Sequence, residues 1–158
     1  MDDPVFRAAR PILDETLAGL RAAAEGASPE LLNRRPAGDD TNTIAVIVTH
    51  ALHSTRSWLS LATGAEPPAR DRPAEFRTVV QDTSGFLASV DALATDCRAL
   101  LETEEPFDPA RTGTAPWRSD ADANEPVAAA WALIHAFEHL GQHTAHAQLT
   151  RQLLDAAG

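Results

Sequence analysis

The chain has 158 residues, of which 44% are hydrophobic, and carries a formal net charge of −10. That length suits one domain with a sizeable core, here expected over residues 1–158. The acid excess argues against a nucleic-acid partner, and no run of about 20 apolar residues exists to cross a membrane.

The elements read in chain order as helices. The first is expected from Pro4 to Ala24, with Val5, Ala8, Ile12, Leu17 and Leu20 as its buried stripe and Pro11 as a start or kink. Gly26 stops it, and Pro29–Asn33 reads as a short turn. The second helix is expected from an N-cap at Thr41 or Thr43 to Thr63, with Gly64 as its stop. Pro67, Pro68 and Pro73 mark a loop, and a third helix is expected from about Pro73 to Glu102. Residues Pro106 to Asn124, which include Trp117 and Arg118, read as a long irregular loop. The fourth helix is expected from Glu125–Pro126 to about Leu154. No strand-like alternation competes, so the expected fold is all-α, a four-helix bundle.

All six histidines fall in two windows: His50 and His53, then His135, His139, His143 and His146. Successive helical residues turn by about 100°, so the second set forms one stripe. Trp131 and Leu149 flank it on one side and Leu133 and Leu140 on the other, which places it on the buried or cleft-facing side. On the second helix His50 shares its face with Val46, Ile47, Trp58 and Leu61 and points inward. His53 sits nearer a polar edge. An imidazole on an apolar face needs a partner for its ring nitrogens, and coordination of a metal satisfies several at once. Spacing alone leaves open which neighbouring pair of the stripe would join His50. A three-histidine site keeps coordination positions open, as catalytic centres do. Zinc, nickel, copper and iron all accept imidazole. A carboxylate-rich di-iron bundle is disfavoured, because no Glu-x-x-His occurs. Cys97 is the only cysteine and reads as a buried structural thiol; with no disulfide and no leader-like N-terminus, a cytoplasmic location is expected.

The segment from Glu138 to Leu154, EHLGQHTAHAQLTRQLL, resembles the last helix of the DinB/YfiT-like superfamily. Leu31-Leu-Asn-Arg-Arg-Pro36, Asn42 to His50 and Trp58 to Gly64 resemble that superfamily's connector and second helix. The resemblance covers most of the chain in order. It departs at Ala145-His146, where Gly-Gln is more usual, which leaves His146 as an outer group or alternative ligand. By position, the resemblance assigns the metal to His50, His139 and His143. It implies a divalent metal, zinc or nickel first, and a low-molecular-weight thiol such as mycothiol as cosubstrate. It also implies self-association as a homodimer.

The function expected is a thiol-dependent S-transferase or isomerase acting on an electrophilic small molecule. The metal would lower the thiol pKa to give a thiolate. Ser54 and Ser57 are candidates to line the pocket, Arg56, Arg118 and Arg151 to grip carboxylates, Glu138 and Gln142 to orient ligands, and Trp117 to close the site. Each also has a plainer reading as a helix hydroxyl, a solvated surface group or a core cap. The competing functions are a non-catalytic metal- or small-ligand-binding, stress-related module, and a bundle with purely structural histidines.

Overall fold

The computed structural model describes residues 3–118 and 125–157. In chain order the helices are α1 (Pro4–Ala24), α2 (Pro29–Asn33), α3 (Ile44–Thr63), α4 (Arg72–Glu75), α5 (Thr83–Leu100) and α6 (Ala129–Ala156). The long ones, α1, α3, α5 and α6, form the bundle, and α3 packs against each of the other three. Nearly every residue of α3 is buried, from Ile44 to Ala62, so it is the central rod. Among the described residues no helix is long and apolar enough to cross a membrane.

Helix starts follow side-chain capping. Asp3 accepts from the Val5 amide at 2.8 Å with Pro4 in the first turn. Ser28 caps α2, and Thr43, rather than Thr41, caps α3 by accepting from Val46 at 3.1 Å. The α1 helix continues through Pro11. Its buried stripe includes the expected Leu17 and Leu20, but in the first half Phe6, Ala9 and Leu13 replace the expected Val5, Ala8 and Ile12. Val5 and Ile12 are 42% and 55% exposed. Both stripes have helical spacing, and the one containing Phe6 and Leu13 removes more apolar area from water.

Three expectations are corrected. The third helix does not run unbroken from Pro73. After the single turn of α4 the chain leaves helical form, and α5 begins only after Asp82, whose carboxylate accepts from the amides of Ser84 and Gly85. The fourth helix starts at Ala129 and not at Glu125–Pro126. No side chain caps it; the carbonyls of Arg111 and Pro109 accept from the amides of Ala129 and Ala130 at 2.7 and 3.1 Å. The same stitch makes a two-residue antiparallel pair, β1 (Thr112–Gly113) with β2 (Val127–Ala128), where no strand was expected. The last part of the expected irregular loop, residues 119–124, lies outside the described residues.

Two ties position the segments that border the site. The Asn33 side chain donates to the Val80 carbonyl at 2.7 Å and accepts from the Val80 amide at 2.9 Å, which fastens the α4–α5 connection to α2. At the end of α3, Gly64 adopts φ +79°, a left-handed stop that favours glycine. The Arg111 guanidinium donates to the Ala62 carbonyl at 2.6 Å there. A Cβ on Gly64 would lie 2.7 Å from that guanidinium. Gly64→Ala is therefore expected to destabilise the protein by about 1–2 kcal/mol from the backbone alone, read by urea denaturation.

Candidate metal centre

The site begins on the central rod. His50 is buried on α3, and its Nδ1 lies 2.8 Å from Oε2 of Glu75, which ends α4 and is itself buried. Arg70 closes on the same carboxylate in bidentate fashion, Nε to Oε1 at 2.6 Å and Nη2 to Oε2 at 2.9 Å. Burial works to raise the Glu75 pKa. The hydrogen bonds from Arg70 and His50 outweigh it and hold the carboxyl at about 2. An ionised carboxylate only accepts, so Nδ1 of His50 carries the hydrogen. That leaves Nε2, on the other side of the ring, as the atom His50 can offer as a ligand. This carboxylate–histidine arrangement is the one that orients histidine ligands in metal sites.

His139 and His143 occupy successive turns of α6, half-buried, with Nε2 atoms 3.2 Å apart. Their ring centres lie 5.3 and 5.0 Å from that of His50. One ring nitrogen from each of the three falls within 4.8 Å of the others, an arrangement that can hold a metal ion. Burial, then the neighbouring histidines, lowers His139 to about 3. Burial, then His50 and His146, lowers His143 to about 4. Both rings are thus neutral at pH 7, the form a metal requires. A tetrahedral zinc with bonds of about 2.05 Å has nitrogen–nitrogen edges of roughly 3.3 Å, so the 3.2 Å spacing fits one cation between two rings. The donor set, its protonation and its second-layer carboxylate all suit a divalent metal.

A cleft of about 310 Å³ opens beside these rings, bordered by His50, His139 and Ser54. Its far wall is aromatic. Trp58 meets Trp117 and Trp131 edge-on, at 5.4 and 5.3 Å between centres, and His135 stacks on Trp131 at 4.6 Å.

The family model described as mycothiol S-transferase matches residues 9–156. The chain belongs to that family. It is a DinB/YfiT-like family, as the helix-two and helix-four motifs indicated. A crystal structure of a conserved protein from Enterococcus faecalis has the same fold, with a TM-score of 0.72 at 14% identity, over 96% of this chain and 98% of that one. No curated protein sequence matches the chain.

Within this mycothiol S-transferase family member, the other expected residues divide clearly. Ser54, Trp117 and Arg118 border the cleft. Ser57 instead donates to the His53 carbonyl at 2.9 Å. Arg56 pairs with Asp96 on the surface, and Arg151 with Asp155 and the carbonyls of Ala23 and Glu25, away from the cleft. Glu138 and Gln142 are exposed and bond each other; Glu138 also reaches Nδ1 of His135 at 3.4 Å. His146 is exposed and His53 half-buried. Trp131 and Leu149 do not flank a buried stripe: they are 48% and 55% exposed, because the core face of α6 runs through Leu133, Ala136, Leu140 and Ala147. Cys97 is fully buried, and burial pushes its pKa up to about 12, so it supplies no nucleophile at neutral pH. Sequence reasoning missed Glu75, Arg70 and Arg72. The available signal was Asp71-Arg72-Pro73, a cap followed by a first-turn proline, which announces a separate short helix ending at Glu75.

Two outcomes are expected. Protonation of His139 and His143 favours the unfolded chain, where their values are ordinary, so unfolding free energy should fall as pH drops from 6.5 toward 4. Between pH 6.5 and 5 carboxylates contribute little, and urea titrations of wild type against His139→Gln/His143→Gln isolate the effect as a flatter slope in the double variant. Glu75→Gln should lower metal affinity about 10–100-fold in competition with a chelating dye. It should also lower the melting temperature, since it leaves the Arg70 charge buried without its partner.

Proposed function

We propose that this protein is a metal-dependent mycothiol S-transferase, with His50, His139 and His143 holding a divalent cation, zinc or nickel, in one DinB-like bundle over residues 1–158. The observation that carries the reading is the convergence of three ring nitrogens within 4.8 Å at the edge of an open cleft, in a chain of this family. Bound there, the cation supplies a Lewis acid that lowers the pKa of a thiol cosubstrate and so favours its thiolate.

The chain's own residues do the rest. Glu75 holds the proton on Nδ1 of His50 and fixes the direction of Nε2. Burial keeps His139 and His143 unprotonated and ready to donate. Held by these three ligands, a cation would keep a coordination position open for the thiol. The tryptophan wall gives an electrophile a flat apolar surface along the same cleft. The absence of an activatable cysteine fits a cosubstrate thiol as nucleophile.

The metal-loaded protein incubated with mycothiol and a panel of alkylating electrophiles should consume thiol faster than the uncatalysed reaction. His50→Ala, His139→Ala and His143→Ala should each cut that rate by 100-fold or more while keeping their helical circular dichroism. Stoichiometric metal uptake with no thiol consumption across the panel would refute the transferase reading.

A further inference from the structure

Helix α3 carries four buried hydroxyls, on Ser54, Thr55, Ser57 and Ser60. Three of them are satisfied within the helix. Thr55 donates to the Ala51 carbonyl at 2.8 Å, Ser57 to that of His53 at 2.9 Å and Ser60 to that of Arg56 at 2.9 Å. A bond to the carbonyl four residues back is the ordinary use of a hydroxyl inside a helix. Ser54 departs from this pattern: its side chain makes no hydrogen bond to any described residue. It is 2% exposed and borders the cleft beside His50 and His139. A buried hydroxyl without a partner is costly, and one that borders a cleft is placed to meet a ligand there.

The register of two helices decides which part of a ligand this hydroxyl meets. His50, Ser54 and Trp58 follow one another at single turns along α3, and His139, His135 and Trp131 do so along α6 in the reverse direction. The ends of the two rows pair. The ring centres of His50 and His139 are 5.3 Å apart, and Trp58 lies 5.3 Å from Trp131 and 4.9 Å from His135. Ser54 is therefore the step between the histidine cluster and the indole wall. Residues four apart on one helix face have Cβ atoms about 5–6 Å apart, so Ser54 is an immediate neighbour of His50. A group held at the histidines and extending along the cleft reaches this hydroxyl first. Serine is neutral at pH 7, and toward an anion its O–H can only donate.

We propose that the Ser54 hydroxyl donates a hydrogen bond to the sulfur of the thiol cosubstrate held at the three-histidine centre, and so favours its thiolate form. This rests on the S-transferase reading for the thiol, and on the unpaired hydroxyl and the helix register for the donor. As the thiol ionises its S–H bond breaks, the proton passes to solvent and the electron pair stays on sulfur. Ser54 keeps its own hydrogen throughout. A hydrogen bond to the charged form of an acid stabilises that form and lowers the pKa.

The test reads the sulfur directly. The protein is loaded with cobalt(II), and mycothiol is titrated in while the sulfur-to-cobalt charge-transfer absorption is followed. Ser54→Ala should bind cobalt as wild type does, because serine is not one of the ligands. Its mycothiol dissociation constant at pH 7 should rise about tenfold, as expected for loss of a hydrogen bond to an ionised group. Its charge-transfer band should move to longer wavelength, because no donor then draws the sulfur lone pairs down in energy. Ser60→Ala makes the same change at an equally buried hydroxyl bonded to Arg56, and it should alter neither reading. Thiol consumption with iodoacetamide is measured on the same samples. A band that shifts in Ser54→Ala, with no consumption by wild type above the uncatalysed rate, would sink the transferase reading and leave Ser54 as the donor. An unmoved band or an unchanged dissociation constant in Ser54→Ala, or equal changes in Ser60→Ala, would overturn the role of Ser54 and leave the transferase reading standing. Cobalt uptake by wild type with no sulfur band would overturn both.

Discussion

An ionised carboxylate held between an imidazole and a guanidinium governs the geometry of this protein. Glu75 is the last residue of a one-turn helix in a proline-rich connection, and nothing in that turn would fix its position alone. Its contacts to His50 and to both sides of the Arg70 fork join the connection to the central helix. Taking these charges out of water is costly, and the pairing offsets the cost only because the fork is bidentate and His50 uses the remaining oxygen lone pair. The result is a histidine with one tautomer and one orientation. The two histidines of α6 then need only helical spacing to meet it.

That contrast explains what was legible in the sequence. Residues four apart on a long helix are neighbours whatever surrounds them, so His139 and His143 could be read as a pair, and His50 as inward-facing, from periodicity. Glu75 lies 25 residues from His50, and its role depends on how a connection folds back over α3. Periodicity carries no such information. The expected unbroken third helix concealed it further, since Phe76 and Val79 have the spacing of a buried stripe but are 37% and 63% exposed. The start of α6 was hidden for another reason: its first amides are satisfied by backbone carbonyls of Pro109 and Arg111, and carbonyls leave no residue-type signature. The four long helices needed neither kind of information, and the fold was correspondingly clear.

The cleft joins two chemistries that the chain keeps apart elsewhere. Behind it are neutral imidazoles whose burial suits them to bind a cation; arginine side chains and indole rings border its other side. Placing fixed positive charge near a metal centre disfavours the cation electrostatically. The Glu75 carboxylate compensates, since it balances Arg70 and lies on the side of His50 away from the other rings.

The burial of α3 on nearly all its sides has an evolutionary corollary. A rod enclosed in this way tolerates neither insertion nor a change of register, so the imidazole it presents is bound to the integrity of the whole bundle. The rim is supplied by the segments around Arg70 to Arg72 and Trp117 to Arg118, which join helices and have far more latitude to vary. Descendants of such a scaffold are free to diversify what they accept while inheriting the histidine cluster intact.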